Sequence, residues 1–169
     1  FYTSMTWLPT MAVQAGLSKV ESGLLASVFT LISLPFSLTI PSLTTRLSDR
    51  NRHLMLAIVV GAGILGVAML LIPTSNFFYW LVLIGSSVSS LFPYLMVAFS
   101  MKSSTPEKTA QLSGLAQTGG YVFAAFGPIL FGYSKSLFHS WTPAILMLLV
   151  LTIIMAIALY QVEKVDHIL

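Results

Sequence analysis

The chain predicts an all-α integral membrane protein, a six-transmembrane-helix bundle, and three observations predict it. Of its 169 residues 56% are hydrophobic and only 8% are charged, whereas a soluble domain carries about 25% charged residues. The mean hydropathy is +0.90. The apolar residues fall into stretches parted by short polar connections, and since crossing the hydrocarbon core takes roughly 20 helical residues, six spans use nearly the whole length. No soluble domain is left over. The spans drawn on the sequence are about 1–13, 19–44, 54–72, 77–101, 110–134 and 141–160.

The first stretch, Phe1 to Val13, is apolar but too short to cross, and it starts without an initiator methionine or a basic flank. It is therefore not a signal peptide, and the chain reads as truncated at this end. Ser18-Lys19-Val20-Glu21 has the spacing of a capped helix start, and the run after it contains Pro35 and Pro41, which predict bends. The densest charge cluster follows, Arg46-Leu-Ser-Asp49-Arg50-Asn-Arg52-His53, and must lie outside the hydrocarbon. The third span closes at Pro73-Thr-Ser-Asn76. The fourth has a serine-rich middle, Ser86, Ser87, Ser89 and Ser90, expected to bond across to other helices, and then Phe92-Pro93-Tyr94. Lys102 to Lys108 is a polar loop with Ser104 and Glu107 at capping-box spacing and Pro106 suited to a first turn. Lys135 and His139 mark the next connection, and Gln161 to Leu169 is a polar tail after the last span.

Basic residues orient the chain. Arg46, Arg50, Arg52, Lys102, Lys108 and Lys164 fall on one side, Lys19 and Lys135 on the other, so the first side and the carboxyl terminus are cytoplasmic by the positive-inside rule. This also accounts for the net charge of +3 without a nucleic-acid partner, because the basic residues sit in connections between apolar spans. The expected surroundings are the lipid bilayer of a cell membrane. With no cysteine, disulfides and cysteine-ligated metal centres are excluded. There is no HExxH, GxSxG or P-loop, and none of the three histidines, His53, His139 and His167, is deep in a span. Neither an enzyme activity nor a metal or cofactor is expected. No Asp, Glu, Lys or Arg lies mid-span, so no proton relay is visible.

The fifth span is the most unusual. Leu112 to Tyr133 is uncharged, rich in glycine and aromatics, and carries Pro128. Ala116, Gly120 and Ala124 repeat every four residues as a smooth stripe suited to close helix packing. Gln117 and Tyr121, also four apart, share an adjacent face and place an amide beside a phenol at membrane depth. They serve either to satisfy a neighbouring helix or to bind a solute. Trp7, Phe92 and Tyr94, with Pro9 and Pro93, put further aromatic side chains into spans where leucine would do. Trp80 and Trp141 read as interfacial anchors. Gly61-Ala-Gly63-Ile-Leu-Gly66 fits the dinucleotide pattern, but it lies inside an apolar span and reads as helix packing. Ser22-Gly23-Leu24 recurs as Ser113-Gly114-Leu115, an offset of 91 residues. With three spans per unit the second copy must be inverted, a 3+3 arrangement that many secondary transporters use. The loop at Arg46 to His53 is either a solvated, topology-setting connection or a conformational latch in which Asp49 pairs with an arginine in one state and releases it in another.

These residues carry a family resemblance. Trp7-Leu-Pro9, Ala15-Gly-Leu17, Ser22-Gly-Leu-Leu25, Pro35, and the Pro41-containing helix end running into Thr45-Arg46-Leu-Ser-Asp49-Arg50 resemble the seventh and eighth helices and following loop of a major facilitator superfamily (MFS) transporter. Phe92-Pro93, Thr105-Pro-Glu107, Leu112-Ser-Gly-Leu-Ala-Gln117 and Gly119-Gly-Tyr121 through Gly127-Pro128 are similar to its cyanate and nitroimidazole transporter branch. The resemblance covers essentially the whole chain. It implies the carboxyl-terminal half of a twelve-helix bacterial permease, lacking the start of helix seven and partnered by an amino-terminal six-helix half. Asp49 and Arg50 match the acidic and first basic positions of the superfamily's cytoplasmic signature, with Thr45 in place of its leading glycine, and Arg46, Asp49 and Arg50 would form the latch. Helices seven, eight, ten and eleven would face a central cavity, bringing Trp7, Phe92, Tyr94, Gln117 and Tyr121 to a small polar or anionic substrate. The expected function is secondary transport by alternating access. The alternative is a channel-like or structural six-helix membrane protein acting as a homodimer.

Overall fold

The computed structural model describes residues 1–72 and 77–165, in which the chain forms six α-helices and no strand. They are α1 (Tyr2–Gln14), α2 (Lys19–Arg46), α3 (Asp49–Met69), α4 (Phe77–Lys102), α5 (Pro106–Phe138) and α6 (Thr142–Lys164). The connection at Pro73 to Asn76 and the end of the tail with His167 lie outside the described residues.

Local chemistry sets the helix starts. The Ser18 hydroxyl accepts the Glu21 N–H at 3.2 Å while the Glu21 carboxylate accepts the Ser18 N–H at 2.8 Å, the reciprocal box the spacing predicts. At α5 the cap moves by one residue: Thr105, not Ser104, accepts the Lys108 N–H, because Pro106 then falls on the first turn, where its missing N–H costs nothing. The Glu107 carboxyl is held below its ordinary range by its own backbone N–H and the Thr105 hydroxyl. α2 runs through Pro35 and Pro41 as one helix. α6 extends past Tyr160 to Lys164, so the start of the expected polar tail is helical.

Among the described residues, four helices are long and apolar enough to cross a membrane: α2, α3, α4 from Trp80, and α6, so the spans expected at 1–13 and 110–134 are not among them. α1, with 13 residues, is short of a crossing. α5 has length to spare at 33 residues, but glycines, hydroxyls and terminal charges dilute it. α4 is the central element. Half of its apolar stretch is buried, against 11–28% in the other three, because α2 and α3 pack along it. Around this centre α1 packs on α2 and α5, α3 on α6, and α5 on α6.

Small residues allow the close approaches. A Cβ on Gly66 would come 2.8 Å from the Ile84 side chain, and one on Gly63 2.3 Å from the Ser87 hydroxyl, so these two glycines seat α3 on α4. Three of the four serines bond back and not across: Ser86, Ser89 and Ser90 donate to carbonyls of their own helix at Leu83, Gly85 and Ser86, while the Ser87 hydroxyl faces Gly63 of α3. In the absence of water, a carbonyl one turn back is the nearest acceptor. Trp80 is 3% exposed and belongs to the core, not to an interfacial belt. Trp141 stacks on Phe131 at 5.5 Å and donates to Gln14 at 2.8 Å. Of the Ala116–Gly120–Ala124 stripe, Ala116 and Gly120 are exposed and a Cβ on Gly120 would meet nothing within 4 Å, while Ala124 is half-buried.

Candidate functional site

Two polar regions stand out, and both use α4. The first is a groove of about 360 Å³ formed by α1, α2, α4 and α5. Phe1 and Tyr2, Ser33 and Ser37, Ser89 and Phe92, and Tyr121 line it with Val88 and Pro93. Among the described residues no charged side chain lines it. The hydroxyls of Ser33, Ser37 and Ser89 donate to carbonyls within their own helices, which leaves their oxygens able to accept, while the Phe92 and Tyr121 rings are about half exposed. Such a surface offers aromatic faces and a few hydroxyls to a small, flat or weakly charged molecule.

The second region is a charged knot at the end of the bundle that carries most of the basic residues. Glu163 of α6 is 6% exposed, and its carboxylate accepts from Arg52 Nε of α3 at 3.0 Å and from the Tyr94 hydroxyl of α4. Lys102 of α4 donates to the carbonyls of Glu163 and Val165 at the end of α6. Arg52 also reaches Asp49 at 2.8 Å, but the Asp49 side chain is 84% exposed, so that arm contributes little beside the buried one. His53 stands 3.9 Å from Glu163. Three helices are thereby tied through one carboxylate.

The predicted site residues divide between these regions. Phe92 and Tyr121 meet in the groove. Tyr94, two residues from Phe92, turns the other way and is 1% exposed in the knot. Gln117 donates to the Met96 sulfur at 3.5 Å, linking α5 to α4 one turn from Tyr121. Trp7 pins α1 to α5: its indole N–H donates to the Pro128 carbonyl at 2.8 Å, and its ring lies where a Cβ on Gly132 would be. Of the loop residues, the arginine bonded to Asp49 is Arg52, three residues on, while Arg46 and Arg50 are exposed. Glu163 and Lys102, which the sequence reading passed over, were marked by being the charges nearest the apolar ends of α6 and α4.

The Major Facilitator Superfamily model matches residues 1–167. An uncharacterized transporter, YycB, of Bacillus subtilis (strain 168) is 29% identical over 160 residues, 94% of this chain and 39% of the relative. The 2-nitroimidazole transporter of Escherichia coli (strain K12) is 25% identical over 158 residues, 93% of this chain and 39% of its own length. The cyanate transport protein CynX of the same strain is 28% identical over 138 residues, 80% of this chain and 35% of its own. The chain thus spans less than half the length of these relatives. No solved structure matches it.

Proposed function

Because the chain belongs to the Major Facilitator Superfamily, we propose that it is one six-helix bundle of a secondary transporter that carries a small polar or anionic solute by alternating access. The observation that carries the reading is the groove between α1, α2, α4 and α5, since these correspond to helices seven, eight, ten and eleven of the family, the four implied to face a central cavity. A second bundle, belonging to the same transporter, closes the pathway, and the rocking of one against the other moves the solute. Part of the helix pairing supports a 3+3 inverted repeat: α1 packs on α5 as α2 does on α4, and α3 packs on α6, whereas the packing of α3 on α4 has no equal between α6 and α1. The names of the relatives direct the solute search to cyanate, nitroimidazoles and other small anions or planar heterocycles.

In this reading Phe92 and Tyr121 contact the solute, Gln117 and Trp7 hold α5 and α1 in register beside it, and Tyr94 couples the cavity helix to the knot. Arg46, Asp49 and Arg50 act at the latch with Arg52. The test is uptake into vesicles at matched membrane levels of protein: Gln117→Ala and Tyr121→Phe should lower the rate while leaving expression unchanged, and normal uptake in both would overturn the site. Solute counterflow in proteoliposomes supports carriage, and conductance without counterflow would point to a channel.

A further inference from the structure

The seam between α3 and α6 carries an opening that the solute groove does not share. Leu56, Val60 and Ile64 of α3 face Ala156, Leu159 and Tyr160 of α6 across an apolar crevice of about 280 Å³. Gly61 also lines it, and a Cβ there would meet nothing within 4 Å, whereas Gly63 and Gly66 are pressed against α4. One glycine of the run is therefore free of the packing duty that explains the other two. The crevice is an apolar slot running along two membrane-crossing helices.

At its basic end the slot continues into a polar pocket of about 330 Å³, with His53 and Glu163 lining both. Arg52, Lys102 and Lys164 line that pocket with Asp49 and Glu163, so three cations face two carboxylates. Arg52 and Lys102 are committed to the knot. Lys164 makes no ion pair among the described residues: its ammonium stands 4.4 Å over the ring of Tyr160, which lines the apolar slot. A long apolar slot opening under an available cation at the membrane surface matches one class of molecule, an acyl chain joined to an anionic headgroup.

We propose that the α3–α6 seam binds an anionic phospholipid, with an acyl chain in the slot beside Gly61 and the phosphate at Lys164. The bound lipid would lie against the Arg52–Glu163 knot, on helices that contribute nothing to the solute groove. The proposal needs the membrane placement of α3 and α6 but not any particular solute, and lipid retention is read without transport, so the two readings can fail separately.

The experiment is native mass spectrometry of the intact protein in detergent, titrated with phosphatidylglycerol or phosphatidylcholine of identical chains. Phosphatidylglycerol should be retained about fivefold better, the effect of one basic residue near a headgroup. Lys164→Gln, an exposed change that leaves the fold alone, should abolish that preference. Gly61→Leu should reduce retention of both lipids, while Gly23→Leu, at an equally open glycine of α2, should not. Equal retention of the two lipids, a Gly61→Leu variant that retains lipid like the wild type, or full displacement by inorganic phosphate would overturn the proposal.

Discussion

Phe92 and Tyr94 sit either side of Pro93 on α4 and enter opposite environments. Phe92 is half exposed in a groove whose lining carries hydroxyls and rings but, among the described residues, no charge. Tyr94 is buried in a knot where one carboxylate holds an arginine and a phenol, and a lysine grips the same helix end. The groove costs little to keep open, because its serines already satisfy themselves within their own helices. The knot is all or nothing, because each buried charge depends on the others for the solvation that water no longer supplies.

If that contrast is right, the largest effect belongs to Glu163. Glu163→Gln leaves Arg52 facing an amide in a buried site and should destabilise the bundle by about 3–5 kcal/mol, read as a lowered midpoint of thermal unfolding in detergent. Replacing the three mutually bonded groups together, Arg52→Met, Tyr94→Phe and Glu163→Met, should recover part of the loss, since apolar isosteres need no solvation and no phenol is left without its acceptor. A single variant as stable as the wild type would erase the distinction between knot and groove.

Next comes the seam that supports both regions. Gly66→Leu would drive its Cβ to 2.8 Å from the Ile84 side chain and 3.1 Å from the Ile84 backbone nitrogen, parting α3 from α4 at a cost of about 1–3 kcal/mol. Gly120→Leu, at an exposed position of the stripe, should leave the unfolding midpoint unchanged. Loss of uptake in a stable Gly120→Leu protein would indicate that the stripe meets the second bundle. The groove should also respond little in stability: Ser33→Ala and Ser37→Ala should shift it by no more than about 0.5 kcal/mol. For a solute that carries a hydrogen-bond donor, each should weaken affinity by about fivefold where its hydroxyl oxygen accepts that bond, and for a solute without a donor neither should change it. A serine variant that unfolds the protein would make the groove a structural feature instead.

Much of the architecture was legible beforehand because it is written in local or one-dimensional terms. Four of the six spans drawn, α2, α3, α4 and α6, follow from runs of apolar residues, and the start of α2 from its capping box, while the cap of α5 falls one residue later than its spacing predicts. The packing role of Gly63 and Gly66 followed from small side chains inside an apolar run. The misreadings were of direction. Trp80 could be an anchor or a core residue on composition alone, and the serines of α4 could bond across or back, because hydropathy does not say which way a side chain points.

What the sequence determined by itself is the membrane fold, the order of helices and the side that carries the positive charge, since these rest on length, apolarity and spacing along the chain. Tertiary structure alone decided which residues meet. Arg52 and Glu163 are 111 residues apart and bond only because α3 and α6 pack together. Phe92 and Tyr121 come to one groove because α4 and α5 are neighbours there, and Tyr94 leaves it because the next-but-one residue of a helix points about 200° away. A partner's position across a bundle depends on which helices pack and at what rotation, and neither quantity is encoded in any single stretch.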